Sequence, residues 1–77
     1  MLTLYSTSHC HLCEQAYQLL VACGVHIQTQ VIDVAEDNAL FKKYGTKIPV
    51  LRHRKNELLW PFNEEGLKEW LKTHGIN

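Results

Sequence analysis

The stretch LTLYSTSHCHLC, residues 2–13, decides the fold of this chain. It opens with Leu2, Thr3, Leu4 and Tyr5, a short apolar run of strand formers, and Ser6, Thr7 and Ser8 then break the run with turn and cap chemistry. Cys10 and Cys13 follow in C-x-x-C spacing, where the loop meets the next element. That element reads as a helix. From about residue 11 to 23, Leu12, Ala16, Leu19, Leu20 and Cys23 recur at spacings of three and four, the stripe of an amphipathic helix, and Gly24 supplies its stop.

Downstream, Val25 to Asp33 places Ile27, Thr29 and Val31 on one parity and Gln28 and Gln30 on the other, and ends in the apolar pair Val31 and Ile32. The pattern predicts a strand over 25–33. Residues 2–33 therefore have the size of a βαβ unit, whose two strands must run parallel. Asp33 with Glu36 three residues later has the form of a capping box, predicting a second helix through Leu40, Phe41 and Tyr44 that Gly45 closes. Ile48–His53 and Glu57–Trp60 read as two strands joined by the polar residues 54–56, a spacing that fits an antiparallel hairpin. Asn63 can cap a last helix with Leu67, Trp70 and Leu71 on its buried face. The order β-α-β-α-β-β-α implies an α/β domain with a four-stranded mixed sheet flanked by three helices, the layout of the thioredoxin fold, since each apolar sheet face must be covered.

Composition bounds this reading. A chain of 77 residues without low-complexity or linker-like stretches predicts one domain over residues 1–77. Hydrophobic residues make up 45% of it against 21% charged, which argues for a packed core and against disorder. Eight basic residues balance eight acidic ones, so no overall field draws the protein to nucleic acid or to an anionic membrane. Arg52, His53, Arg54 and Lys55 form the one basic run, read as a solvated hairpin tip with docking of an acidic partner as the sharper alternative. The first residues carry no secretory pattern, and three cysteines are an odd number, so the expectation is a reducing, cytoplasmic setting and a monomer.

The chemistry centres on Cys10 and Cys13. A helix N-terminus exposes unpaired N–H groups and about half a positive charge, which favours thiolate at the first cysteine. Cys10 is thus expected to be the attacking sulfur. Three residues on, Cys13 lies on nearly the same helix face and can close a disulfide with Cys10 after a mixed disulfide has formed. Near Ala16, Tyr17 and Leu20, it should be the less exposed thiol. Other readings stand beside this one: a zinc-binding or thiol-sensing module, a docking adaptor, or plain core thiols. The same spacing supplies half of many zinc sites, with His9 or His11 as further ligands, although no second C-x-x-C or paired His motif follows. The cysteines could also be plain core thiols, which is the favoured reading of Cys23 on the apolar helix face.

Two further features bear on the site. Protonated His9 and His11 would stabilise a thiolate at Cys10, whereas the helix N-terminus disfavours an imidazolium. Pro49 at the start of the third strand is tolerated there because the missing N–H costs little, and the base rate for X–Pro bonds favours trans.

Leu2–Tyr5, then Cys10–Cys13, then Lys47, Ile48, Pro49 and Val50 resemble the glutaredoxin-like branch of the thioredoxin superfamily over essentially the whole chain. The resemblance implies a dithiol–disulfide oxidoreductase with Cys10 as nucleophile and Cys13 as resolving thiol. It implies a cis Ile48–Pro49 bond that shapes the substrate groove, with His11, Leu12, Ile48 and Pro49 as substrate contacts and the Ile48 backbone pairing with an extended peptide or glutathione. No tightly bound cofactor is implied. The expected partners are a disulfide-containing protein or small thiol substrate, and glutathione or a reductase as electron donor. The chain departs from typical glutaredoxins in having His11 and Leu12 where they have Pro-Tyr, and Trp60, Pro61, Phe62, Asn63 and Glu64 where they have a Gly-Gly turn and an acidic residue. Bulky rings and a proline do not allow the close backbone approach that glycine gives glutathione. Trp60 and Phe62 are also similar to the aromatics of glutathione-independent redoxins that a thioredoxin reductase reduces; the plainer reading is that they pack the last helix.

Overall fold

A computed structural model of the chain describes residues 1–76. Its sheet has four strands in the order β2-β1-β3-β4: β1 (Leu2–Ser6), β2 (Thr29–Asp33), β3 (Val50–His53) and β4 (Asn56–Leu59). β1 pairs in parallel with β2, Leu4 facing Val31, and antiparallel with β3, Leu4 facing Leu51. β3 and β4 form an antiparallel hairpin closed at His53 and Asn56. Arg54 sits at φ 58° in its turn, a left-handed conformation. The basic run is thus split between the end of β3 and the hairpin tip.

The alternation of β1 and β3 sorts their side chains to two faces. Leu2, Leu4 and Leu51 pack on one face with Ala16 and Leu20 of α1 (His11–Ala22) and Leu67 and Leu71 of α3 (Glu64–Thr73). Tyr5 and Val50 face the other way, toward Val34 and Tyr44, the last residue of α2 (Asn38–Tyr44). This is the expected α/β, thioredoxin-like architecture, with α1 and α3 on one side and α2 on the other.

Both long helices end in the same device. Gly24 at φ 72° lets its N–H reach the Val21 carbonyl while the Val25 N–H reaches Leu20, and Gly75 at φ 66° does the same with Lys72, as Ile76 does with Leu71. These are Schellman closures, and each brings a buried apolar residue, Val25 or Ile76, back onto the helix it follows.

Two expectations are corrected here. The strand predicted from Val25 begins only at Thr29: His26–Gln28 form a 3₁₀ turn, and Ile27 is 83% exposed. The physical reason is the Schellman closure, which commits the Val25 N–H to Leu20 and leaves no run-in to a ladder. The second helix does not start at the Asp33–Glu36 box. Asp33 accepts from Ala35 N–H and caps a 3₁₀ turn over Val34–Glu36, after which Asp37, with extended backbone, accepts from the N–H groups of Ala39 and Leu40 and opens α2. The hairpin strands are displaced from the predicted spans by one or two residues, β3 beginning after Pro49 rather than at Ile48. Asn63 caps α3 through Gly66 N–H as read from the sequence.

Candidate active site

β1 is the second strand of the sheet, hydrogen-bonded on both sides, and its C-terminal end delivers the chain to the pair Cys10 and Cys13. After Ser6 the backbone turns through Thr7 and Ser8, His9 adopts φ 58°, and Cys10 becomes the N-cap of α1. Its sulfur accepts a hydrogen bond from the Cys13 N–H at 3.2 Å, so the thiol position of the cap residue occupies the place a Ser or Asp oxygen ordinarily takes. Cys10 and Cys13 are joined as a disulfide, with Cα atoms 5.2 Å apart.

The two sulfur-bearing residues differ in surroundings. Cys13 is only 3% exposed, beside Ala16 in the interior, whereas Cys10 is half-buried at the rim. Between them His11 and Leu12 face solvent, and the His11 ring lies 3.8 Å from the Glu14 carboxylate. Leu12 therefore does not join the buried stripe to which its spacing assigned it; Cys13 takes that place.

Ile48 and Pro49 arrive from the other side. The amides of Lys47 and Ile48 both donate to the Tyr44 carbonyl, at 2.8 and 3.1 Å, which folds the chain back from the end of α2. The Ile48–Pro49 bond is cis, as the resemblance implied, and Pro49 is fully buried. Val50, next in the chain, pairs with Tyr5 near the end of β1, so this register brings Ile48 and Pro49 beside the loop that carries Cys10. A second cis bond, Trp60–Pro61, has no forewarning in the sequence beyond the presence of a proline. Trp60 and Phe62 meet edge to face at 5.0 Å and pack, half-buried, on the core that holds α3.

Behind the Ile48–Pro49 segment stands a polar group that the sequence reading missed. Tyr44 is 2% exposed, its ring stacks on Tyr5 at 4.3 Å, and its hydroxyl donates to Glu57 at 2.5 Å while Arg52 approaches that hydroxyl at 3.5 Å. Burial, with the Glu57 contact second, pushes the Tyr44 hydroxyl up to about 12. Cys23, half-buried at the end of α1, is a free thiol whose pKa is raised by burial and, secondarily, by Glu64.

A cleft of about 400 Å³ opens directly onto Cys10 and Cys13, walled by the loop after β1, the first two turns of α1 and Val31 of β2. It lies on the β2 side of the pair, away from Pro49. Among the described residues, no three His, Cys, Asp or Glu side chains gather as a metal would require, and no helix is long and apolar enough to cross a membrane.

Residues 1–72 match the family described as Glutaredoxin-like domain (DUF836). The chain is also similar to the structural-genomics target protein XcR50 from X. campestris. Against its X-ray structure the identity is 38%, with 95% of this chain and 97% of that chain covered and a TM-score of 0.89. Against its solution structure the identity is again 38%, covering 94% and 92%, with a TM-score of 0.84. A search of curated proteins finds no match.

Proposed function

The chain belongs to the glutaredoxin-like domain family, and from that premise we propose that it is a dithiol–disulfide oxidoreductase whose reactive pair is Cys10 and Cys13. The observation that carries the reading is the asymmetry of that pair: one sulfur at the rim of a helix N-terminus, accepting an N–H, and its partner buried one turn inside. An N–H donor and the helix dipole both favour negative charge on Cys10 sulfur. Cys13, buried one turn inside, is shielded from outside disulfides and is placed to attack only the sulfur of Cys10.

In the reduced protein, the Cys10 thiolate attacks one sulfur of a substrate disulfide, forming a mixed disulfide and releasing the first substrate thiolate. Cys13 loses its proton and attacks the Cys10 sulfur, closing the Cys10–Cys13 bond and releasing the second thiolate. The substrate gains two electrons and the protein loses two. A thiol donor, glutathione or a reductase, restores the pair by the reverse exchange, and no bound cofactor takes part. His11 and Leu12, exposed between the cysteines, and the half-buried Ile48 beside them contact the substrate, an extended peptide segment or a small disulfide, and the buried Pro49 shapes the groove through its cis bond. The setting of this chemistry is a monomer of one domain in the reducing cytoplasm. Asn63 already occupies the Gly66 N–H at the start of α3, and Glu64 and Glu65 stand in the same turn, which favours a donor other than glutathione.

The test is equilibration with chelator across glutathione redox buffers, followed by thiol trapping and peptide mass analysis. The expected outcome is a reversible Cys10–Cys13 bond with a potential in the range of about −180 to −270 mV spanned by redox carriers. Cys10→Ser should abolish disulfide reduction, and Cys13→Ser should accumulate a mixed disulfide on Cys10. Failure of the two cysteines to pair reversibly overturns the reading.

A further inference from the structure

Resting on the redox reading above, we propose that the cleft on the β2 side of Cys10 and Cys13 binds the ammonium end of a small disulfide, making cationic aminothiol disulfides a substrate class of this protein.

The cleft has the dimensions of a small-molecule site: its volume of about 400 Å³ falls within the roughly 300–1,000 Å³ usual for such pockets. Besides the cysteines and the apolar Leu4 and Val31, its lining includes Ser6, Thr7, Tyr17, Gln18 and Glu14, residues whose side chains can accept a hydrogen bond. A second, smaller hollow of about 230 Å³ shares Ser6, Thr7, Ser8 and Val31 with it and reaches Asp33. The charged groups along the whole trough are therefore Glu14 and Asp33, with His9 as its titratable neighbour; no Lys or Arg lines it. The acceptors suit an N⁺–H donor, and the two carboxylates disfavour the carboxylates of glutathione.

The helix N-terminus works against a cation at the same place, and its size decides the balance. It amounts to about half a charge confined to the first turn, whereas Glu14 contributes a full negative charge and the Cys10 thiolate, in the state that attacks, contributes another. The net field on an ammonium a few bonds from the scissile sulfur is attractive. His11, 3.8 Å from Glu14, competes for that carboxylate only when protonated. With the amine in the trough, Cys10 attacks the nearer substrate sulfur; an aminothiolate leaves, Cys13 displaces the second, and the Cys10–Cys13 disulfide accounts for the two electrons.

The experiment measures, by stopped flow, the oxidation of the fully reduced protein by cystamine, hydroxyethyl disulfide and glutathione disulfide at pH 7.5, each rate divided by that of dithiothreitol with the same disulfide. An exposed ion pair supports a preference of about 1.5- to fivefold for cystamine over the neutral disulfide, and 0.5 M salt should remove it. Glu14 is 74% exposed, so its variants should fold. Glu14→Gln should lower the cystamine-to-neutral ratio, and Glu14→Lys should invert it in favour of the neutral disulfide while raising the relative rate with glutathione disulfide. Turnover of the neutral disulfide with no cystamine preference, or a ratio unmoved by both variants, overturns this inference and leaves the redox reading intact. Oxidation by none of the three overturns both.

Discussion

Replacing Tyr44 by Phe removes one hydroxyl and leaves the ring stacked on Tyr5, which makes it a clean probe of the polar group behind the Ile48–Pro49 segment. The lost contact is a hydrogen bond to an ionised carboxylate, worth about 1.5–3 kcal/mol. Glu57 is exposed and can turn to water, so the lower end applies, about 1.5 kcal/mol at pH 7. In a domain of this size that is a fall in Tm of roughly 6–12 °C. The pH dependence gives a second, independent reading. The folded-state hydroxyl is raised from 10.0 to about 12, so its stabilising contribution is complete below the unfolded value and is lost as pH rises from there through the folded one. At pH 10.5, above the unfolded value, the wild type should already have lost on the order of 1 kcal/mol through this group. Tyr44→Phe lacks that loss, so the gap between the two proteins should shrink to about half its neutral value. Urea unfolding at pH 7 and pH 10.5 measures both numbers. A variant within about 0.5 kcal/mol of wild type at pH 7, the scatter of ordinary surface substitutions, or a gap that stays constant with pH, would refute the assignment.

Asp37→Ala should cost about 1 kcal/mol by removing the acceptor for two orphan amides of α2; Asp33→Ala, which uncaps only a 3₁₀ turn, should cost less, and urea midpoints of the two variants rank them. Leu67→Ala, at a fully buried position shared by α3 and the sheet, should destabilise by about 2–5 kcal/mol, read by calorimetry. In the oxidised protein, Cys23 is the one free thiol among the described residues, and its raised pKa predicts alkylation by iodoacetamide more slowly than a free cysteine at pH 8, with the contrast narrowing as pH rises. An equal rate at pH 8 would sink that assignment.

The sequence carried the architecture because its signals were local and redundant. Gly24 after an apolar stripe, Asn63 before another, and a turn between two short strands each mark an element within a few residues. The errors arose where two local signals competed. Asp33 and Asp37 are both good N-caps, and only the three-dimensional path, with a 3₁₀ turn between them, determines which opens α2. Ile27 matches the parity of a strand, yet the closure after Gly24 turns it to solvent. Of the site, Cys10 and Cys13 were legible from spacing and position, and Pro49 from resemblance. The Tyr44–Glu57 contact spans 13 residues and joins a helix end to an edge strand, and the cleft is walled by three separate elements. No periodicity or motif encodes such meetings, which depend on register and crossover.

The strand order has a consequence for how such a protein can be enlarged. β1 and β3 each have both lateral neighbours filled, so new pairing can be accepted only along the outer rims of β2 and β4. Additions at those rims, or at the hairpin turn of Arg54 and Lys55, would leave the strand that anchors Cys10 undisturbed. The fold is thus suited to serve as an insert or a fused module: its periphery can be rebuilt for a new partner while the chemistry stays fixed to an interior strand.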